Sequence, residues 1–348
     1  METRIIAMNK KKDRNDGMVE AAHALAQGKL VVFPTETVYG LGANALDNEA
    51  VKRIFTAKGR PSDNPLIVHI SRKEQLTSLV SNIPAKAIIL MEAFWPGPLT
   101  LVFEKSGKVA DSVTAGLSTV AVRMPDNPIA LHLIDLAGVP VAAPSANISG
   151  KPSPTSAEHV IEDLIGKVDY IIDGGSCRVG LESTVLDLTC DPPAILRPGG
   201  ITQEMIEKRI GRIQMDKALE LGEGEKPRAP GMKYRHYAPE AEMLVVSGDT
   251  SDVVAKIRQF IDEYRKEGKK TGVLASHETC SCYDADKVLC PGSSSRMEDL
   301  ASKIYACLRE FDEAKVDIIF AEGYPEVGIG RAIMNRLKKA AAGRLITV

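Results

Sequence analysis

The segment Pro34-Thr-Glu-Thr-Val-Tyr-Gly-Leu-Gly42 follows a short apolar run at residues 29–33 that predicts a β-strand. A second segment, Lys58-Gly-Arg-Pro-Ser-Asp-Asn-Pro-Leu-Ile-Val-His-Ile70, joins a predicted helix at 48–57 to a predicted strand at 65–70. In both segments the polar side chains are concentrated where a strand or a helix ends. Because ligand sites in α/β sheets open beside strand ends, these segments predict an α/β fold with a small-molecule site.

The rest of the chain continues the alternation of strands and helices up to a break. Apolar runs predict further strands at 99–103, 119–123, 170–172, 183–188 and 194–196, with helices at 15–27, 84–94, 128–136 and 157–165. Residues 213–242 are rich in Gly, Glu, Lys and Pro, which is typical of a linker. We therefore predict a first domain at 1–212, a linker at 213–242 and a second domain at 243–348.

The second predicted domain again alternates short apolar runs with helices. The runs lie at 243–246, 272–275, 288–289 and 316–320, and the helical stretches lie at 252–266 and 296–313. This alternation favours a smaller doubly wound, Rossmann-like parallel sheet.

Composition restricts the class of protein. The 44 Lys and Arg residues against 46 Asp and Glu give a net charge of -2, so no global basic field indicates binding to nucleic acid or to a membrane. No run of about 18 apolar residues occurs, and residues 1–16 lack the apolar core of a secretory signal, so we expect a soluble cytoplasmic protein. The 6 scattered cysteines predict reduced thiols, and Cys280 and Cys282 with His277 lack the second pair that a zinc site requires.

Lys58 and Arg60 are candidate catalytic residues. One glycine separates them and a proline follows, so both side chains can leave one rigid turn. Arg offers a planar fork to phosphate oxygens and Lys a mobile point charge, and together they can neutralise charge that develops in phosphoryl-type transfer. The alternative is a pair of ordinary solvated charges at a helix C-terminus, and the local sequence favours neither interpretation.

His69 interrupts an apolar run, so it is either a ligand-binding group or, more commonly, a hydrogen-bonded core residue. Thr35 and Thr37 fit both turn formation and hydrogen bonding to a ligand. Residues 142–153 carry small side chains and the polar groups of Ser145, Asn147 and Ser153. Such a loop suits phosphate or ribose, but taken alone it more commonly forms a turn that caps the helix that follows.

Single polar residues mark the ends of three further predicted strands. Arg123 ends one strand, Ser183 opens another, and Arg197 ends a third before a Gly-rich turn. None of them is specific in isolation. None of these loops has the glycine spacing of a Walker A or a dinucleotide-binding loop, so ATP, if it binds, is held in another way.

Taken together and in this order, these segments resemble the Sua5/YrdC/YwlC family of threonylcarbamoyl-AMP synthases in its longer, two-domain Sua5 form. The resemblance spans nearly the whole chain and rests on residues 34–42, 58–69, 144–150, 183–185 and 230–239. It implies a YrdC-like twisted mixed sheet with helices, followed by the smaller domain. It also implies a nucleotidyltransferase that condenses L-threonine, bicarbonate or CO2, and ATP to threonylcarbamoyl-AMP and pyrophosphate, for the t6A modification at position 37 of tRNA.

The resemblance also divides the site residues between the two substrates. It implies a threonine pocket lined by Thr35, His69, Arg123, Ala143 and Ser183, in which Arg123 suits the carboxylate. It implies ATP binding by Lys58, Arg60, Asn64, Thr119, Ser145, Asn147, Ser153, Arg197, His236 and Tyr237, the last two from a linker that can fold over the pocket as a lid. Mg2+ is expected with ATP, although no carboxylate cluster in these segments predicts a metal site made by the protein alone. The expected partners are the downstream t6A transferase proteins, with weak contact to tRNA or double-stranded RNA.

Two other functions stay open on the sequence. A YrdC-type domain has a concave surface that suits RNA, although the near-neutral charge argues against an RNA-binding module. A YrdC-like fold also occurs in hydrogenase-maturation carbamoyltransferases, but their zinc-finger and acylphosphatase-like regions are not visible in this sequence.

Overall fold

A computed structural model describes residues 1–8, 16–216 and 237–348 of the chain. It divides the chain into two compact units. The first comprises Met1–Ser149, Ser153–Arg178 and Glu182–Tyr234, and the second comprises Gly150–Pro152, Val179–Leu181 and Arg235–Val348. Both units are built from β-sheets and helices, so the predicted α/β class is confirmed. Within the described ranges, no helix is both long enough and apolar enough to cross a membrane.

The first unit contains one large mixed sheet and the helices that cover it. Its strands are β1 (Arg4–Ala7), β2 (Val31–Phe33), β3 (Gly40–Asn44), β4 (Ile67–His69), β5 (Leu99–Glu104), β6 (Thr119–Arg123), β7 (Val141–Ala142), β8 (Tyr170–Asp173), β9 (Thr184–Asp187), β10 (Ala194–Arg197) and β11 (Gln214–Met215). Its helices are α1 (Met18–Ala26), α2 (Asn48–Lys58), α3 (Ala85–Phe94), α4 (Asp111–Thr114), α5 (Pro128–Ala137), α6 (Ala157–Leu164) and α7 (Gln203–Ile210), and Lys73–Ser78 forms a 3-10 helix. The strand order is β1-β8-β2-β3-β7-β4-β6-β5-β9-β10-β11.

The middle of this sheet has a large apolar core on one face and, on the other, a row of polar side chains beside a smaller apolar cluster. Leu41, Val68, Leu101 and Val122, from four strands, enter one large core. Because side chains alternate across a strand, their neighbours point to the other face. There Arg123 of β6 stands in register with His69 of β4 on one side and with Thr100 of β5 on the other. The sheet therefore places a row of polar side chains across three adjacent strands.

Helix α2 shows how the sequence fixes the position of Lys58. Asp47 caps its N-terminus by accepting hydrogen bonds from the backbone N–H groups of Glu49 and Ala50. Gly59 ends the helix in the left-handed conformation, with φ of 61°, which glycine adopts at little cost. Lys58 is thereby the last residue of a helix whose inner face packs in the core.

One region of the first unit differs from the prediction. Sequence analysis predicted no strand within residues 34–42, whereas Gly40–Asn44 forms β3, antiparallel to β2. A Cβ atom at Gly42 would lie 2.8 Å from the Phe33 ring and 2.9 Å from Val141, so the absence of a side chain lets these groups pack against the strand. Glycine weakens a strand in isolation, and here tertiary packing outweighs that tendency.

The second unit has a five-stranded parallel sheet of order β14-β13-β15-β12-β16. Its elements are β12 (Glu242–Ser247), α8 (Thr250–Lys266), β13 (Thr271–Leu274), a 3-10 helix (Cys280–Cys282), β14 (Lys287–Leu289), α9 (Met297–Ala314), β15 (Ile318–Glu322), α10 (Ile329–Ala340) and β16 (Leu345–Thr347). The chain runs from β12 through β13 to β14 and then reverses through β15 to β16. Since such crossovers are right-handed, α8 covers one face and α9 and α10 the other, which confirms the doubly wound prediction.

The thiols of the second unit correct the prediction that all cysteines are reduced. Cys280 and Cys290 form a disulfide, with their Cα atoms 6.1 Å apart. Cys177, Cys190, Cys282 and Cys307 are not in disulfides. The Cys280–Cys290 pairing arises because the loop after β13 returns alongside the end of β14, a proximity that the spacing of cysteines along the chain does not reveal.

Candidate active site

The turn after β2 is held together by the Thr35 hydroxyl. Its Oγ1 accepts hydrogen bonds from the N–H groups of Thr37 (3.1 Å) and Val38 (3.2 Å) and donates to the Val38 carbonyl (2.6 Å). The turn-forming interpretation of Thr35 is therefore correct, and its predicted contact with threonine stays a prediction. The turn directs Glu36 and Thr37 toward Arg123 on β6.

Arg123 is buried, with 4% of its surface exposed, and several groups fix its guanidinium. Its Nη1 donates to the Thr37 hydroxyl at 3.0 Å and its Nε to the Gly97 carbonyl at 3.3 Å. Its Nη2 lies 2.6 Å from Glu36 Oε1 as an ion pair. A guanidinium that is fixed and buried at the end of a strand has the geometry to bind a small carboxylate.

His69 lies beside Arg123 and is electrically neutral at physiological pH. Burial first, and the positive charge of Arg123 second, lower the pKa of His69 to about 3. Its Nδ1 lies 3.2 Å from the Ile67 carbonyl, and its ring meets Phe33 edge to face at 6.0 Å between centroids. Both earlier interpretations are compatible with this geometry, because the ring is packed in the core and also borders Arg123.

Ser183 and Arg197 form a second part of the site. The fully buried Ser183 hydroxyl lies 2.7 Å from that of Thr100, and Thr100 is the residue that pairs with Arg123 across β5 and β6. Arg197 donates from Nε to the Ser183 carbonyl (3.1 Å) and from Nη2 to the Ser183 hydroxyl (3.2 Å). The sheet thus brings two arginines, predicted for different substrates, to either side of a pair of hydroxyl groups.

Lys58 joins the site through the Ser/Asn loop. Its ammonium group donates to the backbone carbonyls of Ser145 and Asn147, and its own carbonyl accepts from the Ser149 N–H at 2.9 Å. Lys58 is 2% exposed, so the alternative of a solvated helix-end charge is wrong. The Ser145 hydroxyl in turn donates to Asn147 Oδ1 at 2.6 Å.

Ser153, at the other end of that loop, connects the two groups of residues. Its buried hydroxyl donates to Glu182 Oε1 at 2.6 Å, and Glu182 immediately precedes Ser183. The loop therefore runs from the Lys58 ammonium to the Ser183 and Arg197 cluster. We call Arg123, Thr100, Ser183, Arg197, Ser153, Glu182, Ser145, Asn147 and Lys58 the site cluster.

Three of the residues predicted for ATP lie near the amino ends of β4 and β6. Arg60 Nη2 lies 3.4 Å from the carbonyls of Asn64 and Pro65. The Asn64 side chain is buried, and its Oδ1 has no hydrogen-bond partner among the residues described. Thr119 begins β6, four residues before Arg123, which places it about 13 Å away along the strand.

The remaining predicted residues divide between the two units. Ala143 is buried beside β4, where its N–H donates to the Ile67 carbonyl at 2.9 Å. Tyr237 belongs to the second unit, where its ring stacks on Tyr305 at 5.2 Å between centroids. His236 lies outside the described residues, as does most of the predicted lid. The predicted contacts of Tyr237 and His236 with ATP stay predictions.

Sequence reasoning missed three groups of the first unit that the structure places among these residues. Glu36, Thr100 and Glu182 are all buried. Glu36 stands inside a segment already singled out and Glu182 immediately precedes one, so a buried acid next to a predicted site residue was the available signal. Cys177 is also close to Thr35 and Arg123, and burial, as the largest cause, raises the pKa of its thiol to about 12. It is therefore a neutral thiol at physiological pH.

Two family models together match most of the chain. The first, Sua5_yciO_yrdC, described as telomere recombination, matches residues 23–199. The second, described as threonylcarbamoyl-AMP synthase, C-terminal domain, matches residues 201–342.

Similar proteins of known name extend over almost the full length. A threonylcarbamoyl-AMP synthase of Pyrococcus abyssi is 56% identical over 328 residues, covering 94% of this chain and 95% of that one. A threonylcarbamoyl-AMP synthase of Bacillus subtilis is 53% identical over 334 residues, covering 95% of each. The crystal structure of P. abyssi Sua5 complexed with L-threonine has a TM-score of 0.93 at 52% identity and covers 100% of both chains.

Proposed function

Because this chain belongs to the Sua5 family of threonylcarbamoyl-AMP synthases, we propose that its site cluster seats L-threonine beside ATP and joins them through a carbamate. The reaction condenses L-threonine, bicarbonate or CO2, and ATP to threonylcarbamoyl-AMP and pyrophosphate. The observation that supports this assignment most strongly is the contiguity of the cluster. Arg123 and Arg197 stand on either side of the hydroxyl groups of Thr100 and Ser183, which bond to each other.

In this proposal Arg123 binds the threonine carboxylate. Hydrogen bonds to Thr37 and Gly97 hold its guanidinium in place before substrate arrives, so little conformational freedom is lost on binding. Thr35, His69, Ala143 and Ser183 complete the pocket. Since His69 is neutral, its ring offers packing and a hydrogen bond without adding a second positive charge near the substrate ammonium.

ATP is held by the Lys58 loop and by Arg197. Asn64, Thr119, Ser145, Asn147 and Ser153 supply uncharged donors and acceptors, while Lys58, Arg60 and Arg197 supply positive charge. Asn64 supports this role because its buried Oδ1 lacks a hydrogen-bond partner in the described ranges. We also assign contacts with the nucleotide to His236 and Tyr237, as the sequence predicts.

The chemistry needs no covalent enzyme intermediate. The threonine ammonium first loses a proton to solvent. The amine then attacks CO2 with loss of a second proton, or bicarbonate with loss of water, and forms a carbamate. A carbamate oxygen then attacks the α-phosphorus of ATP. The bond from the α-phosphorus to the bridging oxygen breaks, and pyrophosphate leaves. Lys58, Arg60 and Arg197 stabilise the negative charge on phosphorus and on the leaving group, so the protein acts by positioning and by electrostatics.

Mg2+ bound to the phosphates of ATP would lower the charge that these side chains must neutralise. No group of three or more His, Cys, Asp or Glu residues in the described ranges is arranged to hold a metal ion. We therefore assign the ion to the nucleotide. The product passes to t6A transferase proteins in the cytoplasm, which place the threonylcarbamoyl group on tRNA.

The test is a reconstitution with the purified protein. With labelled bicarbonate, L-threonine and ATP, mass spectrometry should detect a labelled carbamoyl-adenylate that requires threonine, and serine should compete poorly. Consumption of ATP without this product, or equal labelling without threonine, would contradict the proposal.

A further inference from the structure

Glu36 is a buried acid to which the reaction described above assigns no role. The residue is 3% exposed, and neither carboxylate oxygen has a hydrogen-bond partner within the described ranges. Its one described ionic contact is Arg123, whose Nη2 lies 2.6 Å from Oε1. Burying a carboxylate without hydrogen bonds is costly, so a structure that retains one usually has a use for it.

The neighbours of Glu36 explain why the carboxylate stays unsatisfied. The Thr37 hydroxyl bonds to Arg123 and to Thr35, and Thr35 bonds within its own turn. Cys177 is a neutral thiol because burial raises its pKa to about 12. Arg123 Nη2 also makes no hydrogen bond to a described residue, although it is close to Glu36. Carboxylate oxygens of Glu36 and the Nη2 group of Arg123, which have no hydrogen-bond partner among the described residues, therefore lie side by side.

This juxtaposition matches the charges of an α-amino acid. Such a zwitterion carries its carboxylate and its ammonium on one carbon atom, so the two groups that bind them must also be neighbours. A guanidinium alone would attract the carboxylate and repel the ammonium across a short, poorly solvated distance. A carboxylate beside the guanidinium removes that repulsion and leaves the occupied site with no net charge.

We propose that Glu36 is a positioning residue that receives the α-ammonium group of L-threonine while Arg123 receives its carboxylate. The inference rests on the proposed function and assigns a specificity to the same pocket. Glu36 fixes the nitrogen that attacks CO2 or bicarbonate once the ammonium has lost a proton to solvent, which aligns the reacting atoms. It also makes the site prefer an amino acid over the hydroxy acid of the same shape, because the hydroxy acid leaves the buried carboxylate without a cation.

The test compares two ligands on the full-length protein by calorimetry. L-Threonine should bind more tightly than 2,3-dihydroxybutyrate, in which a hydroxyl replaces the amine, by on the order of 10- to 100-fold. Glu36→Gln should lower the affinity for threonine by a similar factor and remove the difference in affinity between the two ligands. It should raise KM for threonine and leave KM for ATP unchanged. Asp187→Asn is the matched control, since Asp187 is equally buried but bonds to Thr189 in a turn.

Each contrary result has a distinct meaning. Equal affinity of the wild-type protein for the two ligands overturns the role of Glu36, even if Glu36→Gln does not fold. Equal affinity of wild type and Glu36→Gln for threonine also overturns it. An equal loss of affinity for both ligands in a folded Glu36→Gln overturns it as well. In those cases the synthase activity still stands if the adenylate forms. Failure of the wild-type protein to bind threonine at all would overturn the proposed function as well.

Discussion

Replacing Ser183 by Ala tests whether the site cluster works as one connected unit. The substitution removes one hydroxyl, which contacts Thr100 Oγ1 at 2.7 Å and accepts from Arg197 Nη2 at 3.2 Å. The hydrogen bond from Arg197 Nε to the Ser183 carbonyl remains, so Arg197 keeps one of its two hydrogen bonds to Ser183. The change therefore weakens the positioning of the cluster without deleting a charge.

The expected magnitude follows from the two bonds. A bond between neutral groups contributes about 0.5–1.5 kcal/mol and one to a charged group about 1.5–3 kcal/mol, and the substitution leaves the partners of both bonds buried. We therefore expect the free energy of unfolding to fall by about 2–4.5 kcal/mol. If the same bonds position Arg197 and the substrates, kcat/KM falls by roughly 10- to 100-fold, since 1.4 kcal/mol corresponds to a factor of ten.

The assay is threonine-dependent pyrophosphate release, with thermal unfolding measured in parallel. Ser106→Ala is the matched control, because the Ser106 hydroxyl makes a 2.6 Å bond to the Ser78 carbonyl elsewhere in the same unit. We expect that control to lose stability and to keep its kcat/KM. Wild-type kcat/KM in a folded Ser183→Ala would refute the reasoning, because the cluster would then be structural only.

Three further predictions concern the charges and the disulfide. Arg60→Ala should abolish threonine-dependent pyrophosphate release, and retained turnover would exclude Arg60 from the nucleotide site. His69 has a pKa of about 3 in the folded protein against an unperturbed value near 6.5, so below pH 6.5 the unfolded chain binds a proton that the folded protein does not. The unfolding free energy should therefore drop more steeply between pH 6.5 and pH 4 in wild type than in His69→Asn, by up to about 1.4 kcal/mol per pH unit, and parallel curves from denaturant titrations would contradict this. Reduction of Cys280–Cys290, which closes a loop of sequence separation 10, should lower the stability of the second unit by about 2–3 kcal/mol in wild type and leave a Cys280→Ser/Cys290→Ser variant unchanged on adding dithiothreitol.

The local sequence pattern was sufficient to predict a strand or helix wherever the residues of that element determine its bounds. The strand Thr119–Arg123 has the predicted bounds because alternation and a following proline mark its end. Helix Asn48–Lys58 extends one residue past the predicted end and stops at Gly59, which adopts φ of 61°. The candidate catalytic residue Lys58 could thus be placed at a helix end from the sequence.

Features that depend on contacts between distant parts of the chain could not be predicted from the local sequence. Strand Gly40–Asn44 exists because its glycines let Phe33 and Val141 pack closely, and that contact joins residues about 100 positions apart. The direction of Lys58 toward Ser145 and Asn147 likewise depends on where β7 leaves the sheet. The Glu36–Arg123 pair required the register of β4 and β6 and the turn after β2, none of which the segment 34–42 encodes by itself.

The most direct test of the account is a crystal structure of the protein with L-threonine and a non-hydrolysable ATP analogue bound together. We predict that the threonine carboxylate lies on Arg123, its nitrogen lies next to Glu36, and the α-phosphate lies between Arg197 and the Lys58 loop, so that a carbamate can bridge the two ligands. Threonine and nucleotide in separate cavities, or an α-phosphate remote from Arg197 and Ser183, would contradict the account.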